Sequence, residues 1–274
     1  MFHRVTVIIL IALLVMPGDA LARRNKKRVR VYKPTAVSAL LIDSTDSKYA
    51  YARNIDKKVF PASTTKVLTA LLVLEKLSLD QYVTVSAKAI NVPETKLNFR
   101  PGEQYKVGDL LYAVLLKSAN DAANVLAEAV GGSQGEFVRM MNARAAALGA
   151  THSHFANAHG LPSKAEQYTT ARDMMIIFKA ALKNPSFRQV LSFKYRILYS
   201  KEGRRFFLKS HNKSLFLKWK RKIYGKTGYT REAQSCFVGY FVKGGHEYIV
   251  AVFGCSKRWE DIKFIVERYA AVDL

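Results

Sequence analysis

The stretch VFPASTTKVLTALLVLEKL, residues 59–77, places Ser63 and Lys66 at the head of a run with few other polar residues. The apolar positions after Lys66 cover most of the circumference of a helix, so the sequence predicts a central helix that is buried on nearly all sides. Ser63 and Lys66 are three residues apart and should share one face of its first turn. A hydroxyl and an amine at the start of a buried helix need an explanation, because burying polar groups costs free energy.

The chemistry of a nucleophilic site supplies that explanation. A serine hydroxyl is a poor nucleophile unless a base lies within hydrogen-bond reach. Lys66 can act as that base if burial or a second cation lowers its pKa. The N-terminus of the helix adds free N–H groups, which suit the oxyanion of a tetrahedral intermediate. Spacing alone is weak evidence, because SHNK at residues 210–213 has the same spacing without an apolar helix after it.

Two further motifs follow along the chain, Ser-Ala-Asn at residues 118–120 and Lys-Thr-Gly at residues 226–228. Each motif alone has an ordinary structural explanation, a helix cap or an exposed turn. The ordered trio is typical of penicillin-binding proteins and class A β-lactamases. With FPASTTK, LLKSANDAA, NAHGLP, TTARDM and KTGYT, the chain resembles the low-molecular-mass penicillin-binding proteins of the D-alanyl-D-alanine carboxypeptidase family from about residue 35 onward.

The resemblance implies a role for each polar residue of the first two motifs. Ser63 would attack the carbonyl of a terminal D-Ala–D-Ala bond and become acylated, and Lys66 would take its proton. Ser118 would relay a proton to the leaving amine, while Asn120 would hold the substrate backbone or orient Lys66. The implied activity is that of a serine carboxypeptidase that removes the terminal D-Ala from peptidoglycan stem pentapeptides, with no metal and no other cofactor.

The resemblance also implies substrate-binding residues around the third motif. Lys226 would add positive potential and Thr227 would meet the substrate carboxylate. Gly228 would let the substrate lie against an edge strand. The backbone N–H of Tyr229 would form the oxyanion hole together with that of the nucleophile. Arg258 falls where some relatives carry an arginine that serves the substrate carboxylate.

The implied fold is α+β, of the β-lactamase/transpeptidase-like type, within a peptidase domain over residues 35–274. Turn residues at 44–47 between β-formers predict an N-terminal hairpin, and further strands lie near the C-terminus. An antiparallel sheet built from both termini and packed by helices is therefore expected, with an all-helical insertion over about residues 78–168. Cys236 and Cys255, in neighbouring predicted strands, allow either a disulfide or two separate core thiols.

The N-terminal segment has the layout of a secretory signal peptide over residues 1–22. Arg4 precedes the apolar run 5–16, which is shorter than the roughly 20 residues that span a bilayer. Small residues at 20–22 supply a cleavage site, and a basic linker follows over residues 23–34. We therefore expect an exported protein, in the periplasm or at the extracytoplasmic face of the cell envelope, with membrane association through the basic linker or an uncleaved signal.

The formal net charge of +23 favours polyanionic partners. For an exported protein these are an anionic membrane surface or a wall polymer, and nucleic acid is not expected. FLKWKRKIY at residues 216–224 mixes cations and aromatics as nucleic-acid binders do, but we interpret it as a solvated strand or loop beside the site. Peptidoglycan stem peptides are the expected substrate, and β-lactam antibiotics the expected covalent inhibitors.

Three other functions remain open at this level. A D,D-endopeptidase or transpeptidase would share the fold and the trio. A β-lactamase would need a glutamate loop, and ETKLN at residues 94–98 has that spacing, but it precedes Ser118 instead of following Asn120. A non-catalytic basic protein that binds an envelope polymer or a membrane surface would need none of the motifs.

Three histidines raise the separate question of a metal site. His152, His154 and His159 lie close together in the sequence, and His-x-His can bind zinc. They precede Gly-Leu-Pro in a loop that matches a structural stretch of the resembled family, and the chain has no His-Glu-x-x-His motif. We therefore predict no metal site.

Overall fold

The computed structural model describes residues 32–93 and 95–274. Residues Lys33–Leu274 form one compact unit. The predicted signal peptide, most of the basic linker and Glu94 lie outside the described residues. Within the described ranges, no helix is both long and apolar enough to cross a membrane.

The strands of the main sheet come from the two ends of this unit, and most of the helices lie between them along the chain. In chain order the elements are β1 (Ser38–Asp43), β2 (Lys48–Arg53), α1 (Lys66–Lys76), β3 (Tyr82–Thr84), β4 (Gln104–Lys106), α2 (Val107–Tyr112), α3 (Asn120–Gly131), α4 (Gln134–Ala147), α5 (Ala171–Leu182), α6 (Pro185–Ser192), β5 (Tyr195–Tyr199), β6 (Arg205–Lys209), β7 (Tyr224–Thr230), β8 (Gln234–Lys243), β9 (His246–Cys255) and α7 (Arg258–Tyr269). A 3-10 turn, Ala62–Thr65, precedes α1, and a π-helical turn, Ala113–Lys117, follows α2.

The central feature is an antiparallel sheet with the strand order β2-β1-β9-β8-β7. Side chains on β1 alternate between its two faces, as strand geometry requires. Leu40 and Ile42 join the core that contains α1 and α5, whereas Ala39 and Leu41 join the core that contains α7. The prediction of an α+β fold whose sheet is built from both chain ends is confirmed.

Helix α1 crosses the larger core, as its apolar pattern predicts. Its first eight residues are all buried. The helix begins at Lys66, and Ser63 lies in the preceding 3-10 turn instead of in the helix itself. Because a 3-10 turn has three residues per turn, side chains three apart are eclipsed, which brings Ser63 directly beside Lys66.

The segment between β2 and β5 holds the predicted helices. The side chain of Ser133 caps the N-terminus of α4 by accepting a hydrogen bond from the Glu136 N–H at 3.1 Å. The segment also contains the small antiparallel sheet of β3 and β4, so the description of the insertion as all-helical is incomplete. Val83 and Tyr105 are the inward residues of these three-residue strands, which are too short for a clear alternation in the sequence.

The two cysteines are free and buried. Cys236 lies on β8 and Cys255 on β9, so the prediction of neighbouring strands is confirmed. Burial raises the pKa of Cys236 to about 12. Of the two arrangements that the sequence allowed, the structure has the pair of separate core thiols.

Candidate active site

The loop at residues 158–160 packs against α1 and against the turn that carries Ser63. The Thr69 hydroxyl donates to the Ala158 carbonyl at 2.6 Å. Gly160 has φ +84°, and a Cβ at this position would lie 1.8 Å from the Ala62 carbonyl oxygen. Only glycine allows so close an approach, so the NAHGLP stretch acts as a rigid support for the nucleophile turn.

Lys66 is the centre of the site. Its Nζ lies 3.1 Å from Ser63 Oγ, 2.7 Å from Asn120 Oδ1 and 2.8 Å from the His159 carbonyl oxygen. A neutral amine has two N–H groups and one lone pair. If the N–H groups donate to Asn120 and His159, the lone pair points to the Ser63 hydroxyl and can accept its proton.

Electrostatics favour this neutral amine. Lys66 and Lys226 are both fully buried. Burial, and after it the charge of Lys226, holds the pKa of Lys66 well below its usual value, against the opposing charge of Asp121. Burial and then the charge of Arg258 lower the pKa of Lys226 to about 7. Both shifts favour the neutral amine, and at Lys66 the charge of a protonated Lys226 adds to the effect of burial.

Ser118 enters the site through an uncommon backbone conformation. It ends the π-helical turn with φ +64°, in the left-handed region that non-glycine residues seldom occupy. Its Oγ accepts a hydrogen bond from Lys226 Nζ at 3.0 Å. Helix α3 begins two residues later with Asn120, whose N–H donates to the Thr95 carbonyl at 2.7 Å. Strain of this kind is frequent at functional sites.

Strand β7 forms the opposite wall of the site. It is the edge strand of the sheet, so one row of its backbone groups has no neighbouring strand. A Cβ on Gly228 would lie 3.0 Å from the Ser63 nitrogen and 3.1 Å from the Ala62 Cβ. The missing side chain thus keeps the space beside the Ser63 N–H open, where an oxyanion could be held together with the N–H of Tyr229.

Arg258, at the first turn of α7, also reaches this wall. Its Nη1 donates to the carbonyl oxygens of Gly228 and Cys236, both at 2.9 Å. Its Nε is buried without a hydrogen-bond partner, and burial lowers the pKa of the guanidinium. Arg258 therefore lies in the site with its Nε–H still able to donate a hydrogen bond. Its charge acts on Lys226.

These groups surround a cleft of about 610 Å³. Ser63, Ser118, Thr227, Gly228, Tyr229 and Arg258 all line it. The cleft wall also includes residues that the motifs did not indicate, namely Thr95, Lys117, Lys209, Ser210, His211, Lys213 and Phe216. The fold brings every predicted site residue together, either on the cleft wall or, for Lys66, Asn120 and Lys226, directly behind it. Five of the added residues lie at the end of β6 or in the β6–β7 connection, whereas Thr95 lies between β3 and β4 and Lys117 ends the π-helical turn.

The alternative Ser-x-x-Lys pair lies on the same cleft but has a different environment. Ser210 is buried, while Lys213 is exposed at the start of a 3-10 turn. Lys213 therefore lacks the burial that distinguishes Lys66. His211 between them faces several cations, and burial followed by these charges lowers its pKa to about 4.

The three loop histidines do not form a metal site with one another. His154 Nδ1 contacts the Glu166 carbonyl at 2.7 Å, and His159 Nδ1 accepts the Leu161 N–H at 3.2 Å. Burial and then the charge of Lys66 lower the pKa of His159 to about 3, so its ring stays neutral. Among the residues that the structure describes, the group of possible metal ligands within 4.8 Å of one another is Asp43, Asp46 and His246, far along the chain from this loop.

Comparisons with known proteins show the family of this chain. The profile of the D-alanyl-D-alanine carboxypeptidase family of peptidases matches residues 25–257. The chain is 33% identical over 257 residues to the D-alanyl-D-alanine carboxypeptidase DacF of Bacillus subtilis, covering 92% of this chain and 65% of that protein. The chain thus spans just under two thirds of the length of this curated relative.

Solved structures extend the similarity to three dimensions. A D-alanyl-D-alanine carboxypeptidase from Mycobacterium tuberculosis superposes with a TM-score of 0.82 at 30% identity, covering 90% of this chain and 96% of that one. A variant of a Streptomyces DD-transpeptidase has a TM-score of 0.81 at 28% identity, covering 88% of this chain and all of that one. On its sequence and its fold, the chain belongs to the D-alanyl-D-alanine carboxypeptidase family of serine peptidases.

Proposed function

We propose that this chain is a serine D-alanyl-D-alanine carboxypeptidase that removes the terminal D-Ala from peptidoglycan stem pentapeptides. The observation that carries the proposal is the 3.1 Å approach of the buried Lys66 Nζ to Ser63 Oγ, at the wall of a cleft that an edge strand borders. The Lys66 amine is also fixed by hydrogen bonds to Asn120 Oδ1 and the His159 carbonyl oxygen. This placement suits transfer of the Ser63 proton. The family to which the chain belongs supports the substrate.

In the acylation step Ser63 Oγ attacks the carbonyl carbon of the penultimate D-Ala while Lys66 takes the hydroxyl proton. The tetrahedral oxygen would lie between the N–H groups of Ser63 and Tyr229, in the space that Gly228 leaves open. The scissile C–N bond then breaks. The leaving amine needs a proton, which Ser118 can pass on because its Oγ bonds Lys226 Nζ.

Recognition of the free carboxylate would distinguish a terminal peptide bond from an internal one. Thr227 offers a hydroxyl and Arg258 a guanidinium on the cleft wall, and Lys226 supplies positive potential directly behind it. A charge-assisted hydrogen bond to a carboxylate is about twice as strong as a neutral one. These three residues would therefore bind the terminal D-Ala.

A transpeptidase or an endopeptidase would use the same acyl-enzyme. The structural similarity to a DD-transpeptidase favours the former as a second candidate. The two activities differ in whether water or an amine removes the acyl group from Ser63. Release of D-Ala with and without an added acceptor amine, together with the mass of the peptide product, separates them.

The proposal includes the location and the partners. A cell-wall substrate requires export, so we infer a periplasmic or extracytoplasmic enzyme that is inhibited covalently by β-lactams. The charge of +23 supports contact with anionic envelope material. Binding to anionic vesicles and to wall polymer at low salt would test this part on its own.

The first experiment is incubation of the purified protein with penicillin, followed by intact-mass measurement and peptide mapping. We expect one stable adduct, located on Ser63, and release of D-Ala from a soluble pentapeptide. An adduct on Ser118 or Ser210 would contradict the assignment of the nucleophile. A folded sample with neither adduct nor D-Ala release would contradict the proposed function.

The pH dependence of acylation should be bell-shaped. Acylation needs a neutral Lys66, so the rate rises as pH increases through the lowered pKa of this amine. It also needs a protonated Lys226, so it falls again above about pH 7. In Lys226→Met the alkaline fall should disappear, and the acid limb should move to higher pH because the charge that lowers the pKa of Lys66 is gone. Stopped-flow acylation rates at a series of pH values measure both limbs, and an unmoved acid limb would contradict the coupling.

A further inference from the structure

The hairpin of β5 and β6 exposes an aromatic surface beside the cleft. Alternation along the strands sends Leu198 and Leu208 into the core. On the outer face Tyr195, Tyr199 and Phe207 are 46%, 53% and 59% exposed. Several exposed large aromatic side chains on one face of a hairpin are typical of an interaction site. We call these three rings, with Arg205 and Lys209 on the same face, the aromatic platform.

The rings of the platform lead into the cleft. Phe207 stacks on Tyr195 with 5.5 Å between ring centroids and 22° between planes. Tyr195 meets Phe216 edge-on at 5.6 Å. Phe216 lines the cleft, and so does Lys209, which lies opposite Tyr195 across the hairpin. A ligand that covers the platform is therefore continuous with whatever occupies the cleft.

The underside of the hairpin is firmly anchored. Phe206 packs against Phe99 with 5.4 Å between centroids, and Arg204 Nη1 donates to Glu103 Oε1 at 3.2 Å. Beyond β6, the N–H of His211 donates to the Leu116 carbonyl at 2.9 Å. A surface that is already fixed loses little conformational entropy when it binds a ligand.

Charges flank the rings on the same face. Cross-strand pairing sets Arg205 opposite Tyr199 and Lys209 opposite Tyr195, and both cations are exposed. Their positions suit carboxylates that lie at the two ends of a short row of apolar contacts. The platform therefore combines flat apolar faces with positive charge.

We propose that the aromatic platform binds the glycan strand of polymeric peptidoglycan while one of its stem peptides occupies the cleft. This inference rests on the proposed function and extends it to a preference for polymer over free peptide. Pyranose rings present apolar C–H faces, which pack on the negative face of an aromatic ring. Carboxylates of neighbouring stem peptides would meet Arg205 and Lys209.

A membrane surface is the competing occupant, because aromatic and basic residues also favour the lipid interface. The row of rings argues against it. Since the row enters the cleft through Phe216, a bilayer on the platform would lie across the cleft mouth. A polymer whose side branch is the substrate uses both surfaces at once.

The test uses a double variant that carries both Tyr195→Ser and Phe207→Ser. The control is Tyr269→Ser, which replaces an aromatic residue of 42% exposure on α7. Co-sedimentation with purified peptidoglycan measures affinity, and D-Ala release is measured on both peptidoglycan and a soluble pentapeptide. We expect the double variant to bind peptidoglycan about tenfold more weakly, from the loss of two rings. Its rate on the soluble peptide should stay within about twofold, since neither ring lines the cleft. Tyr269→Ser should match the wild type in both assays.

A second pair tests the charges, Arg205→Glu on the platform against Arg268→Glu on α7, which changes net charge equally. Only the first should weaken binding to peptidoglycan. Equal binding by all variants would overturn the proposal, as would loss of binding to phosphatidylglycerol vesicles without loss of binding to peptidoglycan. The proposed function fails separately, if the wild type releases no D-Ala from the soluble pentapeptide.

Discussion

Replacing Ser63 by alanine is expected to abolish the penicillin adduct and to lower D-Ala release by about 10⁴-fold or more. The reason is that Oγ of Ser63 forms the acyl bond and is the hydroxyl that Lys66 contacts at 3.1 Å. Ser118, the other serine of the motifs, bonds Lys226 instead. Intact-mass spectra with penicillin and a continuous D-Ala assay measure the two effects.

The matched control for this change is Ser210→Ala. Ser210 lines the same cleft and stands in the same Ser-x-x-Lys spacing, but its partner Lys213 is exposed. We expect an adduct on Ser63 and a rate close to that of the wild type. A persistent adduct in Ser63→Ala, or its loss in Ser210→Ala, would show that the nucleophile is assigned to the wrong motif.

Replacing Lys66 by methionine is expected to slow acylation by about 10³-fold, within the range for removal of a general base. Methionine approximates the volume of the buried side chain but cannot accept a proton. It also removes the amine that donates to Asn120 Oδ1 and to the His159 carbonyl, which should cost about 1–3 kcal/mol of the free energy of unfolding. Stopped-flow acylation and thermal unfolding separate the chemical effect from the structural one.

Lys213→Met serves as the control for the lysine, because it removes an exposed amine from the same cleft. Its acylation rate should stay within a few-fold of the wild type. A second candidate for the general base is Lys226, because a pKa of about 7 would also suit that role. If Lys66→Met retained acylation within about tenfold while Lys226→Met lost it, proton transfer would run through Ser118 to Lys226.

Much of the fold was predictable because it depends on local patterns. The continuous apolar run after Lys66 required burial on all sides, and α1 has it. The turn at residues 44–47 between β-formers predicted the β1–β2 hairpin. The β3–β4 sheet was not predictable, because three-residue strands carry too few side chains to establish a period of two. Thr95 and Phe216 reach the cleft from separate parts of the chain, and no motif spacing relates either of them to Ser63.

The sequence by itself determined which groups could perform the chemistry, since a hydroxyl, an amine and their spacing are local properties of the chain. The tertiary structure decided which of two identical spacings is reactive. Ser63-x-x-Lys66 and Ser210-x-x-Lys213 differ in the burial of their lysines and in the cations around them, and only long-range packing sets these. The pKa of an amine depends on all the groups around it: β7 and α3 bring Lys226 and Asp121 near Lys66, and α7 brings Arg258 near Lys226. A motif can therefore indicate a base, but only the fold can lower its pKa.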